Sequence, residues 1–149
     1  MDPTVVTWVL VIFGLLTLAP LTLVQLAFLL SPESERSKEW LIGTEEDWRN
    51  TTHFRLSLGA AWADWLVVVP AFVMGAVGIA LSESWGFVLF GAAGAISLYI
   101  NVILWFVERD YVYPSRGPLK YFTYYWGFFI YWGALALAYS TVRVGGAEF

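Results

Sequence analysis

Long runs of apolar residues, separated by short polar segments, dominate the sequence. Four of these runs, at about residues 4–30, 56–81, 85–107 and 119–141, are each long enough to cross a bilayer core, which takes about 20 helical residues. The runs are continuous and carry Gly and Ala at helical spacing, whereas barrel strands alternate apolar and polar residues. The sequence therefore predicts an all-α integral membrane four-helix bundle, with residues 1–149 forming a single transmembrane domain.

The polar segments 31–55 and 108–118 form the two longer loops between the predicted spans. Seven of the eight Lys and Arg residues lie in or beside these loops. Because Lys and Arg favour the cytoplasmic side of a membrane, both loops should be cytoplasmic. The N and C termini and the short turn at 82–84 should then lie on the outer side. The first run has no basic segment before it and exceeds the length of a signal-peptide core, so we expect it to remain as an anchor.

Composition and charge exclude several kinds of functional site. Only 13% of the residues are charged, against about a quarter in an ordinary soluble domain. The absence of cysteine excludes thiolate catalysis and iron–sulfur clusters, and a single histidine excludes a multi-histidine metal site within one chain. A net charge of -4 argues against nucleic acid as a partner. We expect no cofactor, no metal and no catalytic residue, and favour a protein that is not an enzyme without deciding the point.

The first loop has two interpretations. Thr44 is followed by three acidic residues, a pattern typical of a helix N-terminus. A helix could therefore run from Thr44 out of the cytoplasm and into span two. The alternative is a solvated loop with a short interfacial helix around residues 40–42.

Small residues follow one face of spans two and three. Helices in lipid associate mainly through small residues and a few polar ones. We therefore expect spans two and three to approach each other most closely through Gly75, Gly78, Gly91 and Gly94.

Span four carries an unusual number of aromatic residues. Some fit an interfacial aromatic belt, but Tyr131 and Trp132 lie roughly 18 Å beyond Leu119 at helical rise. A phenol or an indole at that depth needs a partner for its polar group. Contact with lipid or a second subunit is one explanation, and a cavity lined by aromatic rings is the other.

Polar residues on all four spans fall at a similar depth. At helical rise, Asp64 lies roughly 12 Å and Asn101 roughly 10 Å inside the membrane. Gln25, Tyr124 and Tyr125 lie roughly 8 Å inside it. The predicted ligand-binding set contains these five residues together with Trp105 and Trp126. A cytoplasmic mouth to this layer would contain His53, Arg55, Glu108 and Arg109. The alternative is that Glu108, Arg109 and Asp110 form an ion pair with Arg55 or a solvated cluster at the interface, and that His53 is only a polar interfacial residue.

Asp64 carries most of this interpretation. A charged carboxylate costs about 2.5 to 3.5 kcal/mol at the centre of a spanning helix, so it needs a partner or a proton. Three roles remain open: a hydrogen bond that only fixes helix register, a binding pocket, and proton transfer or catalysis.

The segment from Ala63 to Tyr113 carries a resemblance. Its elements are Ala63-Asp64, Pro70, two glycines at 75 and 78, Trp85-Gly86 and Tyr99. This pattern resembles small, uncharacterised four-span membrane proteins of prokaryotes. The resemblance implies a multi-pass protein of a prokaryotic plasma membrane and implies no activity.

These observations favour a protein that binds a small amphipathic ligand, such as a lipid, a quinone or a hydrophobic amine. Asp64 and Asn101 would hold the polar end, and the aromatic residues of span four would cover the apolar part. One alternative is an accessory or scaffold subunit that packs on a larger membrane complex or a second copy of the chain. The other is a small proton-coupled transporter or intramembrane isomerase that uses Asp64.

Overall fold

The computed structural model describes the backbone of residues 1–43, 49–111 and 119–147, and the side chains of these residues except 108–111 and 119–126. All regular structure in these ranges is helical, and they contain no strand. The helices are α1 (Val5–Leu30), α2 (Glu35–Leu41), α3 (Thr51–Ala80), α4 (Ser84–Tyr111) and α5 (Leu119–Val144). The all-α prediction is confirmed for the described part of the chain.

Three helices of the described chain are long and apolar enough to cross a membrane. They are α1, α3 and the Ser84–Val107 part of α4. The fourth predicted span corresponds to α5, which has 26 residues. The described part is therefore consistent with a membrane protein.

The start of α3 differs from the predicted start of span two. The helix begins at Thr51 because the side chain of Asn50 accepts hydrogen bonds from the backbone N–H groups of Thr52 and His53, each at 3.1 Å. It is therefore longer at this end than the apolar run alone indicates. The predicted helix start at Thr44 lies outside the described residues.

The core between the described helices surrounds Trp132 of α5, whose side chain is fully buried. Its indole Nε1 donates to the Leu10 carbonyl of α1 at 3.0 Å. Its ring lies edge-on to Phe72 of α3 and Phe90 of α4, each at 5.7 Å between ring centroids. Gly14 gives the indole room, since a Cβ there would lie 2.5 Å from Nε1. Trp132 thus packs between the helices, whereas its neighbour Tyr131 is exposed.

Glycines bring α3 and α4 into backbone contact. A Cβ on Gly75 would lie 2.7 Å from the Phe90 nitrogen, and one on Gly86 would lie 2.3 Å from the Ile79 nitrogen. Gly78 faces Gly86 across the same contact. Gly75 and Gly78 therefore do pack against the neighbouring span, as the sequence predicts.

Gly91 and Gly94 of α4 face the other way. A Cβ on Gly91 would lie 2.8 Å from the Ser140 Cβ, and one on Gly94 would lie 2.9 Å from the Gly133 carbonyl oxygen, both on α5. The prediction that Gly91 and Gly94 contact span two is wrong. α4 lies between two neighbours, and its contact with α5 is the most extensive in the described chain. Gly91 and Gly94 belong to that contact.

Candidate functional site

Among the described residues of the polar layer, Gln25 and Asp64 form a direct contact between two helices. Gln25 Nε2 on α1 donates to Asp64 Oδ2 on α3 at 2.6 Å. Gln25 is only 3% exposed, and Asp64 is half-buried. Among the described residues, Gln25 Oε1 is buried and accepts no hydrogen bond. The pair therefore leaves acceptor capacity unused on both side chains.

A local change in helix geometry positions the carboxylate. Residues Asp64–Val68 form one π-helical turn, and the Val69 N–H donates to the Asp64 carbonyl five residues back. Pro70 follows directly, and its ring would crowd the carbonyl four residues earlier in a regular α-helix. The wider turn relieves that crowding. Such single π turns are often found at functional sites.

A second hydrogen bond fixes the same contact between α1 and α3. Trp65 Nε1 donates to the Thr22 carbonyl oxygen at 3.2 Å. Thr22 and Gln25 are one turn apart on α1, while Asp64 and Trp65 are consecutive on α3. The widened turn thus allows the consecutive side chains of Asp64 and Trp65 to form hydrogen bonds with neighbouring turns of α1.

Asn101 of α4 is buried, with 4% of its surface exposed, but it bonds within its own helix. Its Nδ2 donates to the Ser97 carbonyl oxygen at 2.8 Å and lies 3.4 Å from Ser97 Oγ. Among the described residues Asn101 Oδ1 accepts no hydrogen bond. The structure therefore shows Asp64 bonded to Gln25 and not to Asn101.

Asp64 and Asn101 nevertheless lie at a comparable distance from the aromatic core along their helices. Phe72 and Ala93 belong to the same buried cluster as Trp132. Asp64 is eight residues from Phe72, and Asn101 is eight residues from Ala93, which is roughly 12 Å along each helix. The π-helical segment also contacts α4. Two half-satisfied polar side chains thus lie on the same side of the aromatic core.

A groove of about 310 Å³ lies between α1 and α5. Its lining is apolar apart from one threonine hydroxyl. The lining residues are Phe13, Leu16, Thr17, Pro20 and Leu21 on α1, and Phe128 and Phe129 on α5. Pro20 is part of the wall that α1 contributes. Because it has no N–H to donate, one regular helical hydrogen bond is missing there, and its ring occupies that place.

The groove and the polar pair lie along the same helix. Leu21 lines the groove, and Gln25 follows four residues later, so the two positions are neighbours on the surface of α1. On α5, the Phe129 carbonyl oxygen accepts from Ser97 Oγ at 3.5 Å, one turn from Asn101. An elongated molecule in the groove would therefore approach the polar layer with one end.

The chain matches no protein-family model, no curated protein and no solved structure. The resemblance from Ala63 to Tyr113 thus gains no support from these comparisons. Function must be inferred from the groove and the polar side chains themselves.

The remaining predicted site residues are only partly described. Trp105 is half-buried and packs against the core. His53 is buried at the start of α3, whereas Arg55 is exposed. Five predicted site residues have side chains outside the described part of the chain: Tyr124, Tyr125, Trp126, Glu108 and Arg109.

A second polar cluster lies where the start of α1 meets the end of α5. It was not predicted from the sequence. The Tyr139 hydroxyl lies 2.8 Å from Thr4 Oγ1 and 2.7 Å from Thr7 Oγ1. Arg143, only 5% exposed, donates to the Asp2 carbonyl oxygen at 2.6 Å and lies over the Phe87 ring. The cluster joins the first residues to the end of α5. The only available signal was one Arg near the end of the last apolar run.

Chemically, the described part of the site offers groups for recognition. Besides the Thr17 hydroxyl in the groove itself, they are the carboxylate of Asp64 and the buried amide oxygens of Gln25 and Asn101. They are hydrogen-bond acceptors next to an apolar surface. This is the arrangement of a small-molecule pocket, which is mostly apolar with a few placed polar groups.

Proposed function

We propose that this protein is an integral membrane four-helix bundle that binds a small amphipathic ligand, such as a lipid, a quinone or a hydrophobic amine. The polar end of the ligand lies at Asp64 and Gln25, and its apolar part lies in the groove between α1 and α5. The single observation that carries the proposal is a polar pair with a buried, unsatisfied Gln25 amide oxygen, one helical turn along α1 from an apolar groove. Buried acceptors without a donor are costly and are normally satisfied by a partner.

The proposal includes a topology. α5 completes the four spans, both longer loops lie in the cytoplasm, and the termini lie on the outer side of a prokaryotic plasma membrane. The distribution of Lys and Arg supports this orientation. The bond between Arg143 and Asp2 supports a bundle whose two chain ends lie together.

The proposal differs from the sequence-based prediction in the residues that hold the ligand. Gln25 replaces Asn101 as the closest partner of Asp64, because its amide bonds the carboxylate directly. Phe128 and Phe129 supply aromatic cover from α5. Tyr124, Tyr125, Trp126, Trp105 and Asn101 remain predicted members of the pocket.

Native mass spectrometry of the protein purified in native-lipid nanodiscs tests the proposal. We expect the wild type to carry a co-purified small amphipathic molecule and Asp64→Ala to lose it. Glu83→Ala is the matched control, since Glu83 is an exposed acid in the turn between α3 and α4. Equal occupancy in all three proteins would contradict the proposal.

A second candidate function is that of an accessory or scaffold subunit. It is favoured by the exposure of Phe128 and Tyr131, two large aromatic side chains on one part of α5. Copurification in a mild detergent tests it. A monodisperse monomer without a partner would contradict the scaffold function.

A further inference from the structure

We infer that the polar end of the ligand is a protonated amine carried directly on an apolar chain. This inference deepens the proposed function and rests on it. It selects one ligand class from three, and it follows from which hydrogen-bonding atoms the described site leaves unused.

The first step is the inventory of atoms around Asp64. An ionised carboxylate only accepts hydrogen bonds, while an amide has two N–H donors and one acceptor. Gln25 directs its donor group to Asp64 Oδ2 at 2.6 Å, which leaves the Oε1 atom of the same amide buried and unsatisfied. Since the two atoms of the Gln25 amide are adjacent, this unused acceptor lies close to the carboxylate.

Asn101 repeats the same pattern. Its Nδ2 group is directed to Ser97, and its Oδ1 atom is buried without a donor among the described residues. The two described amides of the polar layer, Gln25 and Asn101, therefore each direct the nitrogen to a protein acceptor and leave a buried oxygen without a donor. A ligand that satisfies them has to bring the donors.

Charge separates an amine from the other ligand classes. The described side chains form no ion pair with Asp64, and an unpaired carboxylate inside a membrane is costly. An ammonium group supplies three donors and a compensating positive charge. A quinone has only acceptors to offer, and a fatty acid or a phosphate adds negative charge beside Asp64.

Depth separates a free amine from a phospholipid. Asp64 lies about eight residues, or roughly 12 Å, inside the apolar run that begins at Leu56. The ammonium of phosphatidylethanolamine lies beyond its glycerol and phosphate, outside the hydrocarbon. An amine attached directly to a chain reaches Asp64 while its chain occupies the groove that ends at Leu21.

Three probes with one chain length test the inference: dodecylamine, dodecanol and dodecanoic acid. Their binding to the full chain is measured by native mass spectrometry in nanodiscs of phosphatidylcholine. We expect the amine to bind roughly tenfold or more tightly than the alcohol, the effect of a charge-assisted hydrogen bond, and the acid to bind most weakly. A parallel set of nanodiscs that contains phosphatidylethanolamine shows whether that lipid competes with the amine.

Two matched pairs of variants locate the binding. Asp64→Asn keeps the shape of the side chain and should remove the preference for the amine while alcohol binding persists, whereas Glu83→Gln should change neither. Leu21→Trp fills the groove and should weaken all three probes. Leu23→Trp, at an exposed position on the same helix, should weaken none of them.

The outcomes distinguish the inference from the proposed function. Binding of the alcohol or of the acid as tight as that of the amine, or an amine preference that survives Asp64→Asn, overturns the inference and leaves a binding function. Occupancy by phosphatidylethanolamine alone overturns the assignment to a free amine. Failure of every probe to bind, with no co-purified molecule in the wild type, overturns the proposed function itself.

Discussion

At the scale of single residues, the hydrogen bond between Gln25 and Asp64 holds α1 to α3 where both helices lie in the apolar region. Their depths could be predicted because apolar runs fix how far each residue lies from a membrane boundary. The pairing could not be predicted, since it depends on rotation about the helix axis. The π-helical turn changes that rotation by about one residue, and the Asp64–Val68 segment itself contains no pattern that predicts such a turn.

Replacing one partner of this pair should cost more stability than replacing both. Gln25→Leu leaves the Asp64 carboxylate without its donor and should lower the free energy of unfolding by about 1 to 3 kcal/mol. The double variant with Asp64→Leu should recover most of that loss, because neither polar group remains. Thermal unfolding in detergent micelles measures both. A single variant as stable as the wild type would show that the bond contributes little.

At the scale of helices, α4 is the central element, because it contacts α3 through one set of small residues and α5 through another. Small residues were correctly predicted to lie at helix contacts, since only they allow close approach in lipid. Which neighbour each contacts was predicted correctly for Gly75 and Gly78 but not for Gly91 and Gly94. Sequence spacing places residues on a face and does not say which helix covers that face.

Two glycine substitutions separate close packing from helix propensity. Gly86→Ala should destabilise the protein strongly, by about 1 to 3 kcal/mol, because the new Cβ would lie 2.3 Å from the Ile79 backbone nitrogen and no side chain can move aside. Gly59→Ala meets nothing within 4 Å and should stabilise α3 by about 0.5 to 1 kcal/mol. Unfolding midpoints in the same detergent compare them. Equal midpoints would contradict the close approach of α3 and α4.

At the scale of the whole molecule, the apolar pattern was sufficient to predict helices and three candidate spans. The groove and the polar contacts could not be predicted from this pattern. The groove depends on how α1 and α5 diverge, and the cluster around Arg143 depends on contacts between the two ends of the chain. Contacts between residues so far apart leave no periodic pattern in a sequence.

The absence of cysteine allows a direct test of the topology, since any introduced cysteine is the only thiol in the chain. In intact cells, a membrane-impermeant maleimide should label Glu83→Cys, in the turn between α3 and α4, from outside. Glu33→Cys, in the loop after α1, should react only after the cells are opened. Leu15→Cys, 53% exposed on the protein but within α1, should stay unlabelled while the bilayer is intact. Labelling of residues 33 and 83 from the same side would contradict an odd number of crossings between them.

The π-helical turn also has a consequence for the length of α3. Such a turn accommodates one amino acid more than a regular helix of equal rise, and here that extra amino acid lies between Asp64 and Val69. Deleting Val67, an exposed position within it, would let the segment relax into an ordinary α-helix without shortening the span. The Asp64 carboxylate would then rotate away from α1. Loss of Val67 should therefore weaken ligand recognition, while membrane insertion should be unaffected because the span keeps its length.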